Sequence, residues 1–256
     1  VSNNDINTFS SKDSKDNIGY AMKMKSDNII PLSSEKESWR LNVGAGYEFI
    51  DQYFKGIGPF RNIEFQRDWN ISAIKFSSDQ HAISSYVGIE KSKLLDVKYF
   101  VNYLDNINEY RGIKNGISTS VSHKGFKLLS NSSYLNTEGI NNTEFIRNKA
   151  TLTKDISWFV LGVEQEIEQN KFFAQNSDTL LGNSFRFNIW KGFAHNADTT
   201  INKFLISYKQ RTDDAANVTL FKQTTKAEDI EASYALLKNQ NHILRSSVIY
   251  RKLYIT

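Results

Sequence analysis

Hydrophobic residues recur at every second position between Ser38 and Ile50. Trp39, Leu41, Val43, Ala45, Tyr47 and Phe49 alternate with Arg40, Asn42, Gly44, Gly46 and Glu48. Side chains of an extended chain point to opposite faces in turn, so this stretch predicts a strand with one apolar and one polar face. It is about 12 residues long, where soluble strands average roughly 5–6. The same period appears in NIGYAMKM, through Ile18, Tyr20, Met22 and Met24. It appears again in LDVKYFVNYL, where Leu95, Val97, Tyr99, Val101 and Tyr103 share a face, and in GISTSVSH, with Ile117, Thr119 and Val121. Weaker alternation predicts strands near 144–154, 158–167, 185–190, 204–210, 230–236 and 244–254. The stretch AEDIEASYALLK fits a helix or a strand, and its neighbours favour the strand. Clusters of Asn, Asp and Gly mark turns between these segments.

The stretch FRNIEFQRDWN, Phe60 to Asn70, looks most like chemistry because it carries two acids among arginines and aromatics. At period two, Asn62, Glu64, Gln66, Asp68 and Asn70 form a polar row, with Ile63, Phe65, Trp69 and Ile71 opposite. This reads as another strand with a solvated or lumen-facing polar side. Four residues of strand set Glu64 and Asp68 about 13 Å apart, whereas the paired carboxylates of glycoside hydrolysis stand roughly 5–9.5 Å apart. The two acids therefore do not make such a pair by themselves.

Composition narrows the function classes. The chain has 256 residues, a net charge of +4, no cysteine and two prolines. Its length suits one all-β unit over residues 1–256, opening on a polar stretch over 1–17. Disulfides, thiolate metal sites and a cysteine nucleophile are excluded. The small charge excess argues against nucleic acid as a partner. His81, His123, His195 and His242 lie far apart and lack the short spacings of a zinc site. DSKDN lacks the glycine and distal glutamate of a calcium loop, and no phosphate-cradling glycine loop is present. No cofactor, metal or catalytic residue is therefore assigned, and a non-enzyme is expected. An enzyme of lipid or glycan hydrolysis would have to pair a serine or acid with one of these histidines across strands, with Glu64, Asp68 and His123 as the first residues to test.

No apolar run approaches the ~20 residues of a membrane helix, so any membrane crossing must be made by strands. Trp39, Tyr47, Tyr53, Trp69, Trp158 and Trp190 fall near predicted strand ends, as aromatic girdles at a membrane interface require. The alternation of WRLNVGAGYEF, the Asn-rich loops, the absent cysteine and the scarce proline resemble outer-membrane β-barrels of Gram-negative bacteria. NDINTFS, DNIGYAMKM and FRNIEFQRDWN are also similar in texture to segments of large cell-envelope proteins from gliding and gut-dwelling bacteria. The resemblance implies an antiparallel meander of about 10–12 strands, located in the outer membrane, that anchors, conducts or scaffolds. Lipid would be one partner, and further strands or envelope subunits another. Barrels of that class usually close on a strand ending in an aromatic residue. Here Tyr254 is followed by Ile255 and Thr256, which together with the opening on Val1 suggests part of a longer barrel. The alternative is a soluble surface module that binds glycan or protein through an aromatic-lined face.

Overall fold

The computed structural model describes residues 2–3, 18–32, 39–54, 65, 68–71, 78–92, 94–107, 109–139, 142–174, 181, 184–196, 202–215, 223–239 and 242–255. Alternating side chains yield long strands joined by tight turns. A short pair comes first, β1 (Ser2–Asn3) with β2 (Ile18–Gly19). The main sheet then runs through β3 (Ala21–Pro31), β4 (Trp39–Ile50), β5 (Gln80–Lys91), β6 (Leu95–Asn106), β7 (Tyr110–His123) and β8 (Phe126–Gly139). It continues with β9 (Asn142–Ile156), β10 (Phe159–Phe173), β11 (Phe185–Asn196), β12 (Asn202–Ala215), β13 (Gln223–Asn239) and β14 (His242–Ile255). Every strand pairs antiparallel with its neighbour in sequence, so the twelve form one meander from β3 to β14. The sheet is not closed: among the described residues β3 and β14 each have a single hydrogen-bonded neighbour.

Turn chemistry fixes the registers. Lys124 and Gly125 connect β7 to β8, both with positive φ (48° and 77°), the backbone of a two-residue turn whose twist matches the flanking strands. Ser157 (φ 51°) and Trp158 make the equivalent tight link from β9 to β10. The predicted strands stand outside the Phe60–Asn70 stretch, with two additions. β5 and β8 were not singled out by alternation, because serines interrupt their apolar rows.

Cross-strand partners share a face, so the register assigns every strand's two sides. One side carries Met24, Val43, Ile83, Tyr99, Ile117, Leu128, Leu152, Val163, Trp190, Ile206, Ile230 and Val248, one from each of the twelve strands. Their exposures run from 37% at Val43 to 72% at Val248. These apolar side chains are uncovered, and polar ones such as Asn115, Ser132, Asn148 and Gln165 lie among them on the same face. The other side bears Lys25, Lys98, Lys114, Arg147, Lys149, Glu166 and Glu168.

Aromatic rings lie flat on this inner side over glycines of the next strand. A Cβ at Gly44 would stand 2.1 Å from the Tyr86 ring, one at Gly116 2.5 Å from Phe100, and one at Gly162 2.1 Å from Phe193. Only glycine admits these rings so close to the backbone.

Candidate functional site

In the connection from β4 to β5, Phe65 and residues 68–71 lie against the inner face. Here the expected strand over Phe60–Asn70 is corrected at Phe65 and 68–70, the residues of that stretch the structure describes. Phe65 and Asp68 are helical, and the Trp69 amide donates to the Phe65 carbonyl at 3.1 Å. The i, i+4 spacing puts Phe65 and Trp69 on one side of a helical turn, and that side finds an apolar niche. Trp69 is 6% exposed and clusters with Ile71, Leu104, Tyr110, Leu135 and Phe145, while Phe65 and Ala82 pack at its edge. Packing of the pair outweighs the weaker alternation. In a flat sheet, β5 and β10 would lie five spacings apart, roughly 24 Å. One helical turn reaches both, through Ala82 on β5 and Asn170 on β10, so the sheet bends around it.

This plug is tied to the wall by polar contacts. Asn70 (φ 53°) ends the turn in the left-handed conformation that asparagine tolerates. Its side-chain amide donates to Asn170 Oδ1 at 3.1 Å and to Thr143 Oγ1 at 3.2 Å, and accepts from Asn170 Nδ2 at 2.9 Å. Asp68 accepts from Arg147 Nη1 at 3.0 Å and lies 3.6 Å from Lys114 Nζ. Arg147 Nε also donates to Glu168 at 3.1 Å, so one guanidinium joins plug and wall. The Tyr110 hydroxyl donates to the Trp69 carbonyl, and Ser78 bonds both Asn106 and the Ile107 carbonyl. The plug thus sits at the rim that carries the turns after β4, β6 and β8.

Two of the five residues of the expected polar row are placed. Asp68 and Asn70 reach the inner wall from the helical turn and its cap, not from a strand. Asn62, Glu64 and Gln66 lie outside the described residues. Of the six expected interface aromatics, Trp69 is corrected most plainly, since it fills the interior. Trp39 and Tyr47 are on the outer face near opposite ends of β4, by their pairing with Lys91 and Ile83. Tyr53 follows β4, and Trp158 occupies an exposed turn. Trp190 is on the outer face but at mid-strand, paired with Gln165 and Gln210, not at an end. Sequence reasoning missed cation–aromatic stacks at the rims. Lys91 lies over Trp39 at 5.3 Å and Lys154 over Phe126 at 3.9 Å at one rim; Lys252 lies over Tyr254 at 4.7 Å at the other.

Below the plug the inner face lines an open cavity of ≈ 940 Å³. A second of ≈ 390 Å³ lies beside Phe65 and Trp69, and Lys25, Ser84 and Asn102 border both. On one wall Lys149 pairs with Glu164 at 3.3 Å and Glu166 at 3.5 Å. On the opposite wall Lys25 pairs with Asp27 at 2.7 Å, which also accepts from the Tyr86 hydroxyl at 2.7 Å. These pairs remain accessible to water, with the Lys25 side chain 63% and Lys149 49% exposed, so solvent screens them. Among the described residues no group of His, Asp and Glu is arranged to hold a metal ion. Two histidines have partners: His81 Nδ1 and the Tyr47 hydroxyl share a hydrogen bond of 2.8 Å between β5 and β4, and His195 bonds the carbonyl of Asn196. No protein-family profile, no curated protein and no solved structure matches the chain.

Proposed function

We propose that the chain forms an outer-membrane β-barrel, or most of one, that is not an enzyme and serves the cell envelope by conducting, anchoring or scaffolding. The observation that carries this reading is the reversal of the usual burial pattern: each of twelve strands exposes a large apolar side chain outward while lysines, arginines and glutamates face inward. Water-soluble monomers rarely leave a contiguous apolar surface above a few hundred Å². A bilayer covers such a face with acyl chains.

Dimensions agree with that environment. From Trp39 to Phe49 the strand advances about 33 Å, which at a tilt of ~40° spans about 25 Å, the height of the apolar band in outer-membrane barrels. Lysines stacked on Trp39, Phe126 and Tyr254 fit the headgroup level, where amphipathic rings and long cations prefer to sit. In hydrocarbon an unpaired sheet edge is costly, so the barrel requires β3 and β14 to find partners. Because the number of strands is even, these two run in opposite directions, and a seam between them would be antiparallel like every other pair. Further strands or an envelope subunit would satisfy the same edges. The Asp68 carboxylate serves as a tie to Arg147 and Lys114, which suits a plug.

Membrane fractionation with paired variants tests the reading. The protein should require detergent for extraction and migrate differently on a denaturing gel before and after boiling. Ile117→Lys, on the outer face, should lower the folding free energy in bilayers by about 2–4 kcal/mol, while Ser118→Lys, on the inner face, should change it little. Recovery of the folded chain from buffer alone, with both variants equally stable, would instead support a soluble module.

A further inference from the structure

We propose that the larger inner cavity is a binding compartment for small hydroxylated carboxylates, the size and chemistry of a sugar acid, with Lys98 as the anchoring cation. This rests on the barrel reading for its location but not for its chemistry. Five cationic side chains and three carboxylates line the cavity. Four of the cations are engaged: Lys25 with Asp27, Lys114 with Asp68, Arg147 with Asp68 and Glu168, and Lys149 with Glu164 and Glu166. Lys98 differs. Among the described residues no carboxylate lies within ion-pair distance of it, and its ammonium instead sits 3.6 Å from the centre of the Tyr86 ring.

That ring is itself fixed. It lies over Gly44, whose missing side chain leaves it room, and its hydroxyl is held by Asp27. Glycine, ring and ammonium thus form a stack that presents a cation to the cavity without neutralising it, and the nearest acid is already committed to Lys25. A cation–π contact satisfies the ammonium only in part, leaving its N–H groups able to donate to an incoming anion. The same cavity is lined by Ser84, Ser118 and Asn102, whose polar groups can exchange hydrogen bonds with hydroxyls, and by the Phe100 ring, which offers a stacking face. A volume of ≈ 940 Å³ is at the upper end of the ~300–1,000 Å³ of small-molecule sites.

Calorimetric titration of the full chain with glucuronate, and with glucose as its uncharged counterpart, tests this at low ionic strength. It is run in detergent micelles, or in buffer should the chain prove soluble, so failure of the membrane reading leaves the binding test intact. Glucuronate should bind at least about 10-fold more tightly than glucose, and Lys98→Gln should weaken it by about 10-fold, the scale of one charge-assisted hydrogen bond. Lys98→Arg should restore most of that loss, and Lys252→Gln on the outer face should leave affinity unchanged. Equal affinity for the two sugars, no binding of either, or glucuronate affinity insensitive to Lys98→Gln would overturn the proposal.

Discussion

Asn70 and Asn170 hold each other by two reciprocal amide hydrogen bonds, 3.1 and 2.9 Å long, across a separation of 100 residues. One amide belongs to the plug and the other to the wall. Asn170 is only 3% exposed, so it depends on this partner to satisfy its polar atoms.

Asn70 can be tested with two substitutions that separate its side chain from its backbone. Asn70→Gly keeps the left-handed conformation and removes the amide, which should cost about 1–3 kcal/mol through the buried group left unpaired. Asn70→Ala adds backbone strain of about 1 kcal/mol to that loss. Urea unfolding of the refolded protein measures both, and equal stability of the two variants with the parent would show that the amide pair does not hold the plug.

Trp69 and Asp68 are neighbours with very different expected contributions. Trp69→Ala empties the centre of the apolar cluster and should destabilise by about 3–5 kcal/mol. Asp68→Asn removes an ion pair whose acid is 41% exposed. It should cost only about 0.2–1 kcal/mol, because solvent already screens the charge. A larger loss for Asp68→Asn than for Trp69→Ala would mean that charge, not packing, seats the plug.

Gly44 and Tyr86 should be strongly coupled. Gly44→Val drives a side chain into the ring and should cost about 1–3 kcal/mol. In a Tyr86→Ala background the same change should cost far less, so a double-mutant cycle on the unfolding free energy should give a clear coupling term. Additive effects would place the ring elsewhere.

The strands were legible wherever one face was cleanly apolar. β4 shows this best, and its predicted limits nearly coincide with Trp39–Ile50. β8 was hidden because Ser130 and Ser132 fall on its outer row and Asn131 and Ser133 on its inner one, so no period survives in FKLLSNSSYLNTEG. Strand ends were read short for a related reason. Polar runs such as QRTDD look like turns, yet β12 continues to Ala215 because its inner face welcomes Arg211 and Asp213, which pair with each other at 2.8 Å.

The plug was misread because its residues satisfy two periods at once. Asn62 to Asn70 alternates like a strand, while Phe65 and Trp69 are spaced like a helix. Local pattern could not arbitrate, since the deciding contacts come from Leu104, Leu135 and Phe145, far along the chain. Lys98 carried no signal for the same reason: its place over Tyr86 exists only once β5 and β6 are in register.

The distance in sequence between Asn70 and its partner also dictates an order of assembly. The helical turn is synthesised early, but the surfaces that receive it are completed only when β10 has joined the sheet. Until then Asn70 lacks its reciprocal amide partner on the wall. Docking of this segment is therefore complete only once β10 is in place, because the reciprocal amide pair of Asn70 and Asn170 cannot form sooner.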